Sequence, residues 1–188
     1  MATEVNNADN VSVGKGKVSG YAYSAPKGTV APTDATTELS TDYANLGYIN
    51  EDGITNSIET DNENITDWNG DVVLTVTISR EETFQFTLME TKGASLKEVF
   101  ADENVTIDGG KITAIGKNTE RANKVYVFEI ALTGNRVERI VVPKGRVTEV
   151  GEITYQAGEA LAYQLTVTAM PDDSGATSYR YITTVEAA

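Results

Sequence analysis

The most constraining feature of this sequence is a strict alternation of apolar and polar side chains. From Val72 to Ser79, a valine, leucine or isoleucine occupies every second position, and threonine or serine occupies most positions between them. Phenylalanine and leucine resume the pattern at residues 84–88, after a polar stretch at residues 80–82. A period of two places alternate side chains on opposite faces of a β-strand. We therefore expect two half-buried strands, joined by a turn at residues 80–82 into a long β-hairpin over residues 71–90.

The same alternation recurs along the rest of the chain. It predicts further strands at residues 112–115, 125–132, 136–142, 147–155, 161–169 and 178–185. Gly134 and Asn135 both tolerate positive φ, so they are expected to form the hairpin turn between two of these strands. Strands and helices do not alternate regularly, which argues against a parallel sheet. The sequence therefore predicts a mainly β fold, an antiparallel β-sandwich or a rolled barrel.

One short α-helix is expected to flank the strands, at about residues 95–102. Its sequence, GASLKEVFADE, places Glu98 three residues after Ser95, which is the spacing of a capping box. In a capping box, two side chains satisfy free N–H groups at the start of the helix. Apolar residues recur on one face of this helix, at Leu96, Val99 and Phe100.

The residue types that most enzymes use are missing. The chain of 188 residues, which fits one domain, contains neither cysteine nor histidine. Disulfides, thiolate metal sites, thiol catalysis and every catalytic triad that includes histidine are therefore excluded. Any catalysis is left to carboxylates, lysine, tyrosine or serine, so we expect neither an enzyme nor a metal or organic cofactor.

The charge of the chain is strongly negative and unevenly distributed. Its net charge is −13, which repels nucleic acid and anionic membrane surfaces. Every charged residue between Gly28 and Ser79 is acidic. No apolar run approaches the length of a membrane span, and the opening MATEVNNADN lacks the basic and apolar regions of a secretion signal. We therefore expect no membrane contact and synthesis in the cytoplasm.

A long segment, from about Pro26 to Asp71, fits the strand pattern poorly. It is rich in turn-forming residues, and loops of this length are usually functional or disordered. Trp68, the only tryptophan, lies near its end and either packs in the core or anchors an interface. The larger side chains of the segment would not all remain in water, so we expect an interface formed by Tyr43, Tyr48, Ile49, Ile54, Ile58, Ile65 and Trp68. Residues 1–14 and 183–188 are further candidates for arms.

Two other functions remain open at the level of the sequence. The acidic stretches ETDNEN (59–64) and PDDSG (171–175) offer oxygen ligands for calcium, although neither has the spacing of a helix-loop-helix calcium site. A secreted β-sandwich module that binds carbohydrate or calcium through these loops is therefore an alternative. A glycoside hydrolase that uses a pair of carboxylates is a weaker one, since no pair is singled out among the 28 acidic residues.

The order of these features over most of the chain resembles the major tail tube proteins of long-tailed bacteriophages. Between residues 15 and 183, the matching stretches are GTVAPTD, LGYINEDGITNSIETDNENITDWNGDVV, TFQFTLMETKGASLKEVFADENVT and RIVVPKGRVTEVGEITYQAGEALAYQLTVTAMPDDSGATSYRYI. Each motif is loose on its own, and their order and spacing make the resemblance specific. The chain departs from the pattern at Ala101 and Asp102, where family members often turn on a glycine.

This resemblance implies a structural virion protein whose subunits form hexameric rings stacked into a hollow tube. It implies a β-sandwich with a flanking helix, whose inner strands join those of neighbouring subunits into a barrel around a channel. It also implies that the long loop at residues 26–71 and the terminal arms grip adjacent subunits or rings, with Trp68 as an anchor.

The resemblance further implies the partners and the location of the protein. The partners would be other copies of the chain and the tape-measure, terminator and baseplate proteins of a phage tail. The protein would be made in the host cytoplasm and would become part of the virion tail. DNA would pass without specific binding, because an acidic wall makes no phosphate contacts and releases no counterions. The acidic residues expected to line the channel are Glu59, Asp61, Glu63 and Asp67.

Overall fold

The computed structural model describes residues 6–185 and has the mainly β, antiparallel architecture that the sequence predicts. The α-helix α1 (Gly93–Phe100) flanks the strands, and short 3-10 turns lie at Ala8–Asn10 and Asp102–Asn104. The strands in chain order are β1 (Gly14–Gly16), β2 (Ala22–Pro26), β3 (Ala44–Asn45), β4 (Ile49–Thr66), β5 (Val72–Leu88), β6 (Val105–Asp108), β7 (Lys111–Ala114), β8 (Lys124–Leu132), β9 (Arg136–Val150), β10 (Tyr163–Ala169) and β11 (Tyr179–Thr184). Among residues 6–185, no helix has the length and apolar character needed to cross a membrane.

Nine strands form a single open sheet. Its order is β3-β2-β8-β9-β10-β5-β4, with β1 also paired to β8 and β11 also paired to β9. Every one of these pairs is antiparallel, and β6 and β7 form a separate antiparallel hairpin. Among residues 6–185, β3 and β4 end the sheet without pairing to each other, so the sheet does not close into a barrel.

The sheet folds over itself, and its larger core lies between β5 and β8. Phe128 of β8 stacks on Phe84 of β5 with ring centroids 5.4 Å apart, and it meets Phe86 edge to face at 5.4 Å. These two strands are not neighbours in the sheet, so the contact places two layers face to face, as in a β-sandwich. Leu96 and Val99 of α1 pack against the same core.

Strand β8 is buried on both of its faces and forms the centre of the molecule. Alternate residues of β8 face the larger core and a second, smaller cluster that contains Val125 and Val127. Tyr43 covers the smaller cluster from the irregular segment 27–43, and its hydroxyl donates to the carbonyl of Val30 at 3.0 Å. The first part of the predicted long loop therefore folds onto its own sheet.

The predicted hairpin turn at Gly134 and Asn135 is confirmed. Both residues have positive φ, 75° and 55°, and they join β8 to β9. Strand β9 then continues to Val150, so the two strands predicted at residues 136–142 and 147–155 are one strand that ends before Tyr155. It accommodates Pro143 where its register with β8 shifts, because a bulge leaves the proline nitrogen outside the ladder.

The predicted hairpin over residues 71–90 is wrong. Strand β5 runs without a turn through residues 80–82 and pairs with β4, in the segment for which the sequence predicted a loop. The polar residues stay in the strand because the buried carboxylate of Glu82 accepts hydrogen bonds from Thr177 and, at 2.9 Å, from Ser178. Burial alone would raise the pKa of Glu82, but these hydrogen bonds to the carboxylate outweigh burial and lower the pKa.

Helix α1 begins at Gly93, and the predicted capping box is wrong. Lys92 occupies the N-cap position, and no side chain there accepts a hydrogen bond from the helix. The hydroxyl of Ser95 donates instead to the carbonyl of Leu46 at 2.9 Å, and the carboxylate of Glu98 is buried in the core. Both side chains meet partners that are distant in sequence, so tertiary packing overrides the local capping signal.

Both ends of the described chain join the sheet. Strand β1 pairs with β8, so the chain is held from residue 14 onward. Strand β11 includes residues 183–184, and the N–H of Val185 donates to the carbonyl of Asn135 at 2.7 Å. The sheet therefore extends into the predicted C-terminal tail. Residues 1–5 of the predicted N-terminal arm and residues 186–188 of the tail lie outside the described residues.

Candidate functional site

The most prominent surface feature is a two-stranded ribbon that projects from the sheet. It consists of residues 58–81, which are the distal parts of β4 and β5 with the turn between them, and we call it the hairpin arm. Every residue of the arm is exposed, so both faces of the ribbon meet solvent. A two-stranded ribbon alone is marginally stable in water. Contact with a partner would therefore stabilise the arm.

The hairpin arm exposes an unusual number of large apolar side chains for a free surface. The exposed set comprises Ile58, Ile65, Trp68, Val72, Val73, Leu74, Val76 and Ile78. The sequence predicted that alternate residues of the stretch 72–79 face a core. That prediction is wrong for a single copy of the chain, because no second layer of described residues covers this part of β5.

The tip of the arm is a tight turn built around the carboxylate of Asp67. Its Oδ1 atom accepts hydrogen bonds from the N–H groups of Asn69 at 2.8 Å and Asp71 at 2.9 Å, and Gly70 supplies a positive φ of 90°. Trp68 stands in this turn with its whole side chain in solvent, at 102% relative exposure. The alternative in which Trp68 packs in the core of its own chain is therefore wrong.

Three of the four acidic residues predicted to line a channel lie on one face of β4. Glu59, Asp61 and Glu63 alternate along the strand, so their side chains share that face. Glu81 of β5 stands directly opposite Glu59. Both glutamates line a shallow hollow of 210 Å³ with Glu149 and with threonines of β5, β9 and β10. Three carboxylates and no basic side chain line this hollow, so the face is strongly negative, and the opposed Glu59 and Glu81 repel each other.

The fourth predicted acidic residue, Asp67, lies apart from the other three at the tip of the arm. Its carboxylate is already engaged by two backbone N–H groups of the turn. Asn69 and Gly70 shortly after Asp67 are a typical turn composition, so a turn is predictable here, whereas the two hydrogen bonds to this carboxylate are visible only in the structure.

The other predicted interface residues are divided between the arm and its base. Tyr43 is buried in the smaller cluster of its own chain, and Ile49 and Ile54 are half-buried against the larger core. Tyr48 is 62% exposed and meets Tyr21 edge to face, with ring centroids 5.7 Å apart. The arm itself carries the remaining three, which are Ile58, Ile65 and Trp68.

A buried ionic network joins α1 to the sheet. The carboxylate of Glu98 accepts hydrogen bonds from the hydroxyls of Ser24 and Tyr126, both at 2.7 Å, and from Nζ of Lys124 at 2.9 Å. Burial lowers the pKa of Lys124, but the carboxylates of Glu98 and Asp102 outweigh burial and raise the pKa above its ordinary value. Burial and the nearby Glu98 raise the pKa of Tyr126 well above its ordinary value. The groups of this network satisfy one another, which is typical of a structural role.

Of the two acidic stretches considered for calcium, ETDNEN (59–64) lies within strand β4, and PDDSG (171–175) is engaged within its own turn. The carboxylate of Asp172 accepts hydrogen bonds from the hydroxyls of Ser174 at 2.7 Å and Tyr179 at 2.8 Å. These hydrogen bonds lower the pKa of Asp172 to about 2. Within residues 6–185, no group of three or more acidic side chains is placed to hold a metal ion.

Comparison with known proteins connects this architecture to one family. A family model described as phage tail tube protein matches residues 5–187. No curated protein matches the chain. The solved structures similar to this chain include a cryo-EM structure of the anti-feeding prophage cap, a tube terminating cap, at 14% sequence identity. The match covers 95% of this chain and 97% of that chain with a TM-score of 0.44, a likeness too weak to carry an argument of its own.

Proposed function

The chain belongs to the phage tail tube protein family, a family of structural tail proteins, and we propose that it forms hexameric rings stacked into a tube that conducts DNA. In this proposal the protein is a component of the virion tail, made in the host cytoplasm, and has no catalytic role. Its partners are other copies of itself and the tape-measure, terminator and baseplate proteins of the tail.

The observation that carries this proposal is the hairpin arm. Residues 58–81 place valine, leucine, isoleucine and tryptophan side chains in water on a ribbon that has no core of its own. Such a surface lowers its free energy when a partner covers it, at about 25 cal/mol for each Å² of apolar surface removed from water. A tube supplies that partner in the form of neighbouring copies.

The free edge of the sheet supports the same conclusion. Strand β4 is the last strand in the order of the sheet, and among the described residues its outer edge is unpaired over 18 residues. A long unpaired edge is a template for pairing with another chain. We infer that this edge pairs with a strand of the next copy. Because the two surfaces in such a contact differ, the contact repeats head to tail and generates rings or filaments.

The acidic face of β4 supports a role as the wall of a DNA channel. Glu59, Asp61 and Glu63 share this face with Glu81, and threonines of β5, β9 and β10 line the adjoining hollow. Carboxylates repel phosphates and release no counterions when DNA approaches, so such a wall does not hold DNA in place. We propose that these three residues of β4 line the channel, and that Asp67 belongs to the contact between copies because it lies at the tip.

Electron microscopy combined with sedimentation velocity tests the proposal. The purified protein is expected to form rings or tubes, and a variant in which a two-residue turn replaces residues 59–80 is expected to remain monomeric and folded. Trp68→Ala is expected to weaken assembly, whereas Tyr155→Ala, at an aromatic side chain that is 80% exposed on a loop, is the matched control. A wild-type protein that stays monomeric at every concentration and salt would contradict the proposal.

A further inference from the structure

A hollow of 380 Å³ lies where the first turns of α1 meet the ends of β2 and β3. We call it the alanine hollow, because four small side chains line it: Ala25, Ala44, Ala94 and Ala122. Alanine has no side-chain rotamers to lose. A large, flat side chain can therefore pack against this surface without ordering the groups beneath it.

Two lysines that line the alanine hollow have no ion-pair partner among the described residues. Lys27 and Lys97 line it, and neither forms an ion pair with any residue in the described part of the chain. Asp102 also lines the hollow, but Lys124 already pairs with its carboxylate at 3.0 Å. Glu98 lines it too and pairs with the same lysine at 2.9 Å, so the whole lining has three lysines and three carboxylates. Among the described residues, Lys27 and Lys97 on the one side and Asp42 on the other are the charged groups of the lining that form no ion pair.

The tip of the hairpin arm has the complementary chemistry. Trp68 presents a fully exposed indole, and the aspartates at positions 67 and 71 flank it in the turn. Tryptophan seated in a well-packed pocket that excludes water is typical of interface hot spots, and opposite charges around it fix the register of the contact.

The other hollows on the surface fit the acidic tip less well. The hollow beside Glu59, Glu81 and Glu149 has three carboxylates and no lysine or arginine in its lining, and it would repel the tip. The hollow along residues 29–43 is also lined by carboxylates without a basic side chain. A larger cleft of 420 Å³ beside β1 contains Lys15, but Glu51 and Glu129 line the same cleft. In the hollow of 220 Å³ beside Tyr48, the one lysine, Lys92, already pairs with Glu90 at 2.9 Å. Of these five hollows, the alanine hollow is the one in which lysines without an ion pair outnumber carboxylates without one, among the described residues.

The tip and the alanine hollow of one chain lie at opposite ends of β5. The tip precedes Val72, the first residue of β5, whereas α1 begins at Gly93, shortly after its last residue. The 17 residues of β5 span roughly 50 Å. The tip therefore does not reach the hollow of its own chain, and the matching surfaces must come from two copies.

We propose that Trp68 at the tip of one copy seats in the alanine hollow of the next copy, where Lys27 and Lys97 face Asp67 and Asp71. The inference rests on the proposed assembly into a tube and assigns the surface that receives the arm. The contact is head to tail, since the tip and the hollow are different parts of the same chain.

Disulfide cross-linking of assembled protein tests this contact directly, because the native chain has no cysteine. The double variant Asn69→Cys with Ala44→Cys is expected to give a ladder of covalent oligomers on a non-reducing gel after mild oxidation. The matched control pairs Asn69→Cys with Glu51→Cys in the cleft beside β1, and it is expected to give no ladder. A ladder from the control pair, or tubes in the microscope without a ladder from the first pair, would overturn the inference and leave the proposed function intact.

Absence of rings or tubes from every variant and from the native protein would overturn the proposed function itself, and the inference with it. A second pair of variants tests the hollow without cysteine. Ala44→Phe fills the hollow at an exposed position of β3, and Ala114→Phe adds the same side chain at an exposed position of β7. Ala44→Phe is expected to raise the concentration needed for assembly by at least about tenfold, as loss of a hot-spot contact does. An equal effect of both variants, with both folded by circular dichroism, would contradict the proposed contact.

Discussion

Replacing Glu98 with alanine is expected to destabilise the subunit strongly. Its carboxylate is 2% exposed and accepts hydrogen bonds from Ser24, Lys124 and Tyr126. Removal of one partner from a buried ion pair costs about 3–5 kcal/mol, because the remaining charge is buried without compensation. Lys124 keeps its contact with Asp102 at 3.0 Å, so we expect a loss near the lower end of that range, about 3 kcal/mol.

Thermal unfolding followed by circular dichroism measures this effect. For a chain of this length, a loss of about 3 kcal/mol lowers Tm by roughly 6–12 °C. If Glu98 acted only as a helix cap, the loss would be about 1 kcal/mol and the shift in Tm roughly 2–4 °C. The control is Glu103→Ala, at an exposed residue just after the helix, for which no shift is expected. Measurements at a concentration where the protein sediments as a monomer separate folding from assembly. A decrease in Tm of less than about 4 °C for Glu98→Ala would refute the buried network as the main role of Glu98.

Three further predictions follow from the contacts of single side chains. Trp68→Ala is expected to leave the unfolding free energy of the monomer within about 0.5 kcal/mol, because its side chain contacts solvent only; urea denaturation followed by circular dichroism measures this. Gly134→Val is expected to cost about 1–2 kcal/mol in the same assay, because the turn requires a positive φ of 75°. Hydrogen bonds lower the pKa of Asp172 to about 2 in the folded chain, below the unfolded value of about 4. Its carboxylate therefore stabilises the fold above pH ~4, and this stabilisation disappears as the pH falls through about 2. Asp172→Asn should therefore reduce the acid sensitivity of the melting temperature between about pH 4 and pH 2.

Each of these predictions has an outcome that contradicts it. Loss of monomer folding in Trp68→Ala would return the indole to a core role, and unchanged stability of Gly134→Val would mean that the turn adopts another conformation. An acid limb that is identical in the native protein and in Asp172→Asn would show that the carboxylate contributes equally to the folded and unfolded chains.

The alternation of apolar residues predicted the body of the fold because half-buried strands leave that pattern. It predicts strands β8 and β10, and it predicts two strands where the chain has the single strand β9. The turn at Gly134 and Asn135 and the helix are predicted from turn-forming residues and from an apolar helix face. The antiparallel sheet and the family resemblance were also accessible from the order of these elements. What the pattern reports, in physical terms, is a difference in burial between two faces.

The alternation does not predict strand β4, for the same physical reason. Its distal half lies in the hairpin arm with both faces in solvent, so no alternation of apolar side chains is required there. The polar stretch at residues 80–82 was mistaken for a turn, because its stabilising partners, Thr177 and Ser178, lie far away in sequence. Glu98 looked like a helix cap for a similar reason: Lys124 and Tyr126 become its partners only in the folded chain.

The sequence alone predicts only part of the candidate site. The exposed apolar residues of β5 were recognised as one face of a strand, but a sequence does not state whether that face meets its own chain or another copy. The channel candidates on β4 could be proposed as acidic residues, whereas their common face became visible only with the pairing of β4 and β5.

The position of the tip and of α1 at opposite ends of β5 gives the subunit a direction. A column of subunits joined end to end would therefore have two chemically different ends. One end would expose the acidic tips of the hairpin arms with Trp68, and the other would expose the alanine hollows with Lys27 and Lys97. Growth from the two sides is therefore inequivalent. In the proposed tube, a protein that starts the column and a protein that ends it would therefore bind different surfaces of the subunit.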